Sequence, residues 1–186
     1  MSPTRWRTLG SSPAVPDQLP PPLGPGDHVK GPPDAPYGLL MYGDFQCPFC
    51  NAAQPILARV RDRLPGRLRF AFRHFPLRDK HPDAERAAQA SEAAAAQGAF
   101  WPMHDALYGA RGELGLATIL RLAGGLGLDA ERIAAELEQG THAARVERDV
   151  RSGLAAGVDG TPAFFVNGAR HLGGYDAQSL IAALQA

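Results

Sequence analysis

Only two cysteines occur in the 186 residues, at positions 47 and 50, so no framework of several disulfides can brace this chain. Lysine is equally scarce, with two residues against 17 arginines, and 19 basic side chains balance 19 acidic ones. A neutral chain lacks the phosphate-attracting excess of a nucleic-acid binder, and no nucleic-acid partner is expected. No run approaches the roughly 18 uninterrupted apolar residues of a membrane-crossing helix, so no membrane span is expected. Arg5 and Arg7 near the start are not followed by an apolar stretch, so no secretory signal is visible. The sequence as given is therefore expected in the cytoplasm. A periplasmic or extracytoplasmic site is the alternative if the N-terminus is a truncated anchor. What the chain does have is 45% hydrophobic and 20% charged residues, enough apolar material for the core of one ordinary domain. A wholly disordered chain is excluded.

Ten of the 17 prolines fall in the first 36 residues, among few large apolar side chains. Such a segment buries too little to offset its ordering entropy, and residues 1–30 are expected to form a mobile tail. Pro20-Pro21-Pro22 is most simply part of that linker. Residues 31–186 are expected to form the domain. Tyr37 to Phe45 is a short apolar run that predicts a buried strand. Pro48 opens a helix to about Leu64, with Ile56, Leu57, Val60 and Leu64 at helical spacing and Pro65-Gly66 as its stop. Arg67 to Phe75 alternates, with Leu68, Phe70, Phe72 and His74 on one face. Strand, helix, strand in this order predicts a βαβ unit with parallel strands.

From Leu77 to Gly157 the pattern is helical almost throughout, and Val146, Val150 and Leu154 form one apolar stripe in its last segment. Pro162 to Asn167 returns to strand. Asn167-Gly168 between two such runs predicts a hairpin, and Asp176 is placed to cap a final helix carrying Leu180, Ile181 and Leu184.

Cys47-Pro48-Phe49-Cys50 lies where the first strand gives way to the helix. Unpaired backbone N–H groups and the helix dipole favour an anion there, which makes Cys47 the exposed, acidic thiol and the nucleophile. Cys50, one turn on, can form a disulfide with Cys47 and resolve a mixed disulfide. A zinc site is the competing reading, but no second cysteine pair exists, and His74 and His81 miss the usual ligand gap. No metal is expected. His74 has two readings, a core or edge histidine and a second catalytic group. Phe100, Trp101, Met103, Leu107 and Tyr108 read first as packing against the sheet, with a substrate groove as the alternative.

With DFQCPFC at 44–50, RHFPL at 73–77, HPDAERAAQA at 81–90, AFWPMHDALY at 99–108 and GVDGTPAFFVNG at 157–168, the chain resembles the DsbA-like branch of the thioredoxin superfamily. The resemblance covers residues 27–184. It implies an α/β thioredoxin-like fold, a central mixed sheet flanked by helices, with an inserted all-helical subdomain. Residues 37–76 and 158–186 would form the core and 77–157 the insertion. The implied activity is thiol–disulfide exchange with protein or peptide thiols, with a redox protein or glutathione as electron partner. No cofactor is implied beyond the Cys47–Cys50 disulfide.

By motif position Cys47 corresponds to the attacking and Cys50 to the resolving cysteine. Pro48, Phe49, Thr161 and Pro162 would contact substrate, with Pro162 as a cis-proline facing the disulfide. Two departures stand out. Strongly oxidising relatives carry histidine where this chain has Phe49, so the thiolate loses a cationic neighbour. Many relatives keep a buried acid six residues before the first cysteine, where this chain has Met41. Asp44 is the remaining carboxylate, with two readings: an N-terminal cap and a proton acceptor for Cys50. The direction of electron flow stays open. A redox-independent peptide-binding or holdase module is the alternative function, and a kappa-type glutathione transferase, which does not need the cysteine pair, is a minor third.

Overall fold

The computed structural model describes residue 20, residues 22–24 and residues 26–186. Five strands form one sheet in the order β1-β3-β2-β4-β5. They are β1 (His28–Lys30), β2 (Tyr37–Gly43), β3 (Leu68–His74), β4 (Ala163–Val166) and β5 (Ala169–His171). β2 and β3 run parallel, joined by helix α1 (Pro48–Arg63), and the other pairings are antiparallel. Between β3 and β4 lie α2 (Ala84–Ala95), α3 (Phe100–Gly109), α4 (Leu116–Gly125), α5 (Ala130–Glu138) and α6 (Ala143–Ala155). α7 (Ala177–Gln185) closes the chain. This is the mixed sheet with a helical insertion that the resemblance implies.

The period-two rule sorts the sheet residues onto two faces. Leu39, Met41, Phe70, Phe72, Phe164 and Val166 join a core with α1, α7 and the insertion helices. Leu40, Tyr42, Ala71, Ala163 and Phe165 face Val146 and Val150 of α6. Both faces are covered, so β3 is buried on its alternate residues too, including Arg73. Each fully buried large side chain of this set is worth roughly 1.5–3 kcal/mol of transfer free energy. Pro48 fills the first turn of α1, where its missing N–H has no partner to lose. Pro55 lies inside the same helix and forfeits one ladder bond. The hairpin turns on Asn167 and Gly168, both at positive φ (49° and 89°), as a tight primed turn requires. Asp176 caps α7 by accepting from the N–H groups of Gln178 and Ser179, both at 3.0 Å.

Two expectations need correction. The tail gives way before residue 30, because His28–Lys30 pair with Phe70–Phe72 as β1. Just ahead of it, Asp27 accepts from Arg73 Nε at 2.7 Å and from Arg73 Nη2 at 2.9 Å. Residues 1–19, 21 and 25 of the expected tail lie outside the described residues. The α6 stripe does not include Leu154, which is 60% exposed; Asp149 and Gly153 are buried with Val146 and Val150 instead. Gly153 faces the sheet because a Cβ there would come within 2.8 Å of the Phe75 ring.

Candidate active site

β2 ends at Gly43, and the chain turns through Asp44 into α1 with Cys47 as the N-cap residue. The Asp44 carboxylate builds that turn. Its Oδ1 accepts from the N–H of Gln46 (2.7 Å) and of Cys47 (3.2 Å). Its Oδ2 accepts from Leu77 N–H (2.8 Å) and from His81 Nδ1 (2.7 Å). Four donors occupy one buried carboxylate, so its capping role is the one the geometry displays. The turn in place leaves Cys47 at the open end of the helix.

Across from it runs the approach to β4. The Thr161–Pro162 peptide is cis, and Cys47 Sγ donates to the Thr161 carbonyl at 3.4 Å. The sequence-predicted residues Cys47, Pro48, Cys50, Thr161 and Pro162 are thus brought to one spot, although they come from opposite ends of the chain. Phe49 sits at its rim, 63% exposed. A cavity of about 180 Å³ opens beside Cys47, lined among others by Phe45, Pro48, Asn51 and Arg111.

The two thiols are free and unequal. The Cys50 thiol donates to Cys47, and together with the nearby Thr161 side chain and the N–H groups of Cys50 and Phe49 it outweighs burial, drawing Cys47 from an ordinary 9 down to about 5. Burial first, then the hydrogen bond to Cys47 and the Cys47 charge, push Cys50 well above the ordinary thiol range. The expectation of an exposed Cys47 does not hold. It is 3% exposed against 0% for Cys50, because the Thr161 carbonyl lies against its sulfur. Hydrogen bonds draw Cys47 down and burial drives Cys50 up, and the two effects together separate the thiols.

His74 is a core residue, 1% exposed at its side chain, with Nε2 on Glu92 Oε1 at 2.8 Å. His28 Nε2 meets the same oxygen at 2.8 Å, and Arg145 Nε stands 3.6 Å from it. His28, His74 and Glu92 offer three ligand atoms within 4.8 Å of one another. The positive Arg145 beside the shared oxygen opposes a cation there and forms an ion pair with the histidine-bonded carboxylate instead. The aromatic set on α3 packs inward, with Phe100, Met103, Leu107 and Tyr108 all buried.

Sequence reading missed Glu92 and His28 as partners of His74, and Asn51 as a partner of Tyr108, whose carbonyl accepts from the Asn51 side chain. The one available signal for Glu92 was a glutamate in the middle of an alanine-rich helix, away from the first turn that Glu85 occupies.

The model of the DsbA-like thioredoxin domain matches residues 39–185. The chain belongs to the DsbA-like thioredoxin family. Among solved structures of similar fold is oxidised BdbD from Bacillus subtilis, at 23% identity and TM-score 0.79, covering 86% of this chain and 91% of that one. A thioredoxin-like oxidoreductase from Silicibacter pomeroyi is 27% identical with TM-score 0.78, covering 87% and 92%. A protein of Salinispora tropica named as a Na(+)/H(+) antiporter NhaA is 44% identical over 178 residues, which are 95% of this chain and 27% of that protein. A namesake in Herminiimonas arsenicoxydans is 42% identical over 92% of this chain and 27% of its own length. The chain spans about a quarter of the length of these relatives. In the DsbA-like domain itself, no helix among the described residues is long and apolar enough to cross a membrane. At the level of the family, the cysteine pair and fold are those of a thiol–disulfide oxidoreductase.

Proposed function

We propose that this DsbA-like domain exchanges disulfides with protein or peptide thiols, Cys47 attacking and Cys50 resolving. The observation that carries this reading is two free thiols one helical turn apart at the start of α1, with Cys47 Sγ 3.4 Å from the carbonyl before the cis-proline; the same surroundings draw Cys47 down and push Cys50 up. Near neutral pH, Cys47 is then mostly thiolate, while Cys50 keeps its proton.

In the reducing direction the Cys47 sulfur attacks one sulfur of a substrate disulfide. The substrate S–S bond breaks, a mixed disulfide forms and the first substrate thiolate departs with the bonding electron pair. Cys50 then loses its proton and attacks the Cys47 sulfur. The second substrate sulfur leaves with the electron pair and takes up a proton. The protein ends as the Cys47–Cys50 disulfide and the substrate as two thiols. The oxidising direction runs the same steps backwards. The disulfide itself is the redox group, and glutathione or a redox protein closes the cycle. Phe49, exposed at the rim, and the backbone at Thr161 and Pro162 form the surface on which an extended substrate lies.

The test is the equilibrium constant of the pair against glutathione, together with the rate of insulin reduction. A tenfold change in that constant is about 30 mV for two electrons, enough to rank reductase against oxidase. Cys47→Ser should abolish exchange. A domain that suppresses aggregation equally well with or without Cys47, and never exchanges, would be the holdase instead.

A further inference from the structure

Resolution requires Cys50 to carry a negative charge where its residue is 0% exposed. An anion in such a place needs hydrogen-bond donors aimed at it. The carboxylates do not serve. Position 41 is a fully buried methionine, and the Asp44 carboxylate is occupied by four donors. The Asp44 backbone N–H faces the sulfur, and the Thr161 hydroxyl lies near both thiols, buried and without a hydrogen bond of its own among the described residues.

One more donor stands there. Tyr108 on α3 is 3% exposed, and its hydroxyl neighbours the Cys50 side chain without completing a hydrogen bond of normal geometry among the described residues. The hydroxyl lies over Gly43, where a Cβ would meet it at 3.0 Å, so the glycine makes its slot at the end of β2. The Tyr108 ring is held by Phe45 and Phe72, with centroids at 5.0 and 6.4 Å. The Asn51 side chain, next in sequence to Cys50, donates to the Tyr108 carbonyl and ties α3 to this turn. A buried O–H with no acceptor costs about 1–3 kcal/mol, so its place here calls for an explanation such as a role in another state of the reaction.

We propose that the Tyr108 hydroxyl is a catalytic hydrogen-bond donor to the Cys50 thiolate, used in the step that resolves the mixed disulfide. The proposal rests on the exchange mechanism above. As Cys50 releases its proton to solvent and attacks the Cys47 sulfur, the Cys47–substrate bond breaks. The departing substrate sulfur takes the electron pair and then a proton. Tyr108 keeps its own proton throughout and offers it to the developing Cys50 charge. Burial, with the facing charges of Cys50, Asp44 and Cys47, raises its own proton affinity, so it remains a donor. The neighbouring ring on α3 is His104, edge-on at 5.0 Å, which burial lowers to about 4 and thereby keeps neutral.

Rapid mixing of the reduced protein with oxidised glutathione separates two phases: mixed-disulfide formation by Cys47, then release of the second glutathione by Cys50. Tyr108→Phe should slow the second phase about tenfold or more near neutral pH and move its pH midpoint upward. The first phase should not change. A fluorinated tyrosine at position 108, a stronger donor of nearly the same shape, should speed the second phase and secures the test if Tyr108→Phe folds poorly. A second phase within about twofold of wild type in either variant, with an unmoved midpoint, overturns the proposal. Absence of the first phase in the wild-type protein would instead overturn the exchange mechanism.

Discussion

Replacing Asp44 with asparagine separates the two roles open to this carboxylate. The side chain is wholly buried, and each of its oxygens accepts two hydrogen bonds, from Gln46 and Cys47 on one side and from Leu77 and His81 on the other. Asparagine keeps one oxygen and replaces the other with an NH₂ group, which would point a donor at two donors. Two hydrogen bonds are therefore lost in a buried place, at about 1–3 kcal/mol each. The expected destabilisation is about 2–6 kcal/mol, against a total of about 5–15 kcal/mol for an ordinary domain. Urea unfolding of the reduced protein measures it as a lowered midpoint at unchanged slope. Asp44→Ala, which removes all four bonds, should cost more. A loss under about 0.5 kcal/mol, coupled with a slowed resolving step, would refute the capping account and make Asp44 the proton acceptor.

Three further outcomes follow from the same geometry. Cys50→Ala removes the hydrogen bond that does most to hold Cys47 near 5, so its midpoint should climb toward the ordinary thiol value. The pH dependence of alkylation reads this, and an unmoved midpoint would mean that the helix N–H groups and Thr161 suffice. Asp27→Ala strips Arg73 of two hydrogen bonds at 2.7 and 2.9 Å in a pair whose side chains are 5% and 7% exposed. Breaking such a pair costs about 3–5 kcal/mol, seen as a lowered urea midpoint; a neutral result would show that the segment before β1 adds nothing. Glu92 is held below the usual carboxylate range because hydrogen bonds from His28 and His74 overcome its burial. Its folded-state pKa is depressed, so its contribution is full above the ordinary carboxylate range and drains away as pH falls through the lower folded value. Melting temperature should therefore fall more steeply with acid in the wild-type protein than in Glu92→Gln. Parallel curves would remove Glu92 from the acid response.

The elements with strong local signals were legible. The βαβ unit could be read from an apolar run, a helix-opening proline and an alternating strand. The hairpin could be read from Asn167-Gly168, and the last helix from Asp176. β1 was not legible, because three residues in a proline-rich stretch carry no period and their pairing with Phe70–Phe72 is set from some forty residues away. Leu154 kept helical spacing yet faces solvent, since α6 turns Gly153 toward Phe75 and Tyr42. The cysteine pair and the threonine–proline step stood out through motif spacing. The covering of Cys47 did not, because it comes from a carbonyl 114 positions further along the chain. Glu92 was hidden for a similar reason: its partners sit on β1, β3 and α6, and no window of sequence contains them.

The shared oxygen of Glu92 also bears on how the molecule opens. His28 from β1, His74 from β3 and Arg145 from α6 all converge on one atom of α2. Detaching any of the four elements strands the others' polar groups in the interior, so partial opening at this junction gains little. The edge strand and the two helices should then exchange their amide hydrogens as one cooperative block with β3, and the short β1 should be protected far beyond what three residues achieve at a free edge. A small secondary element can in this way borrow the kinetic permanence of the sheet it borders.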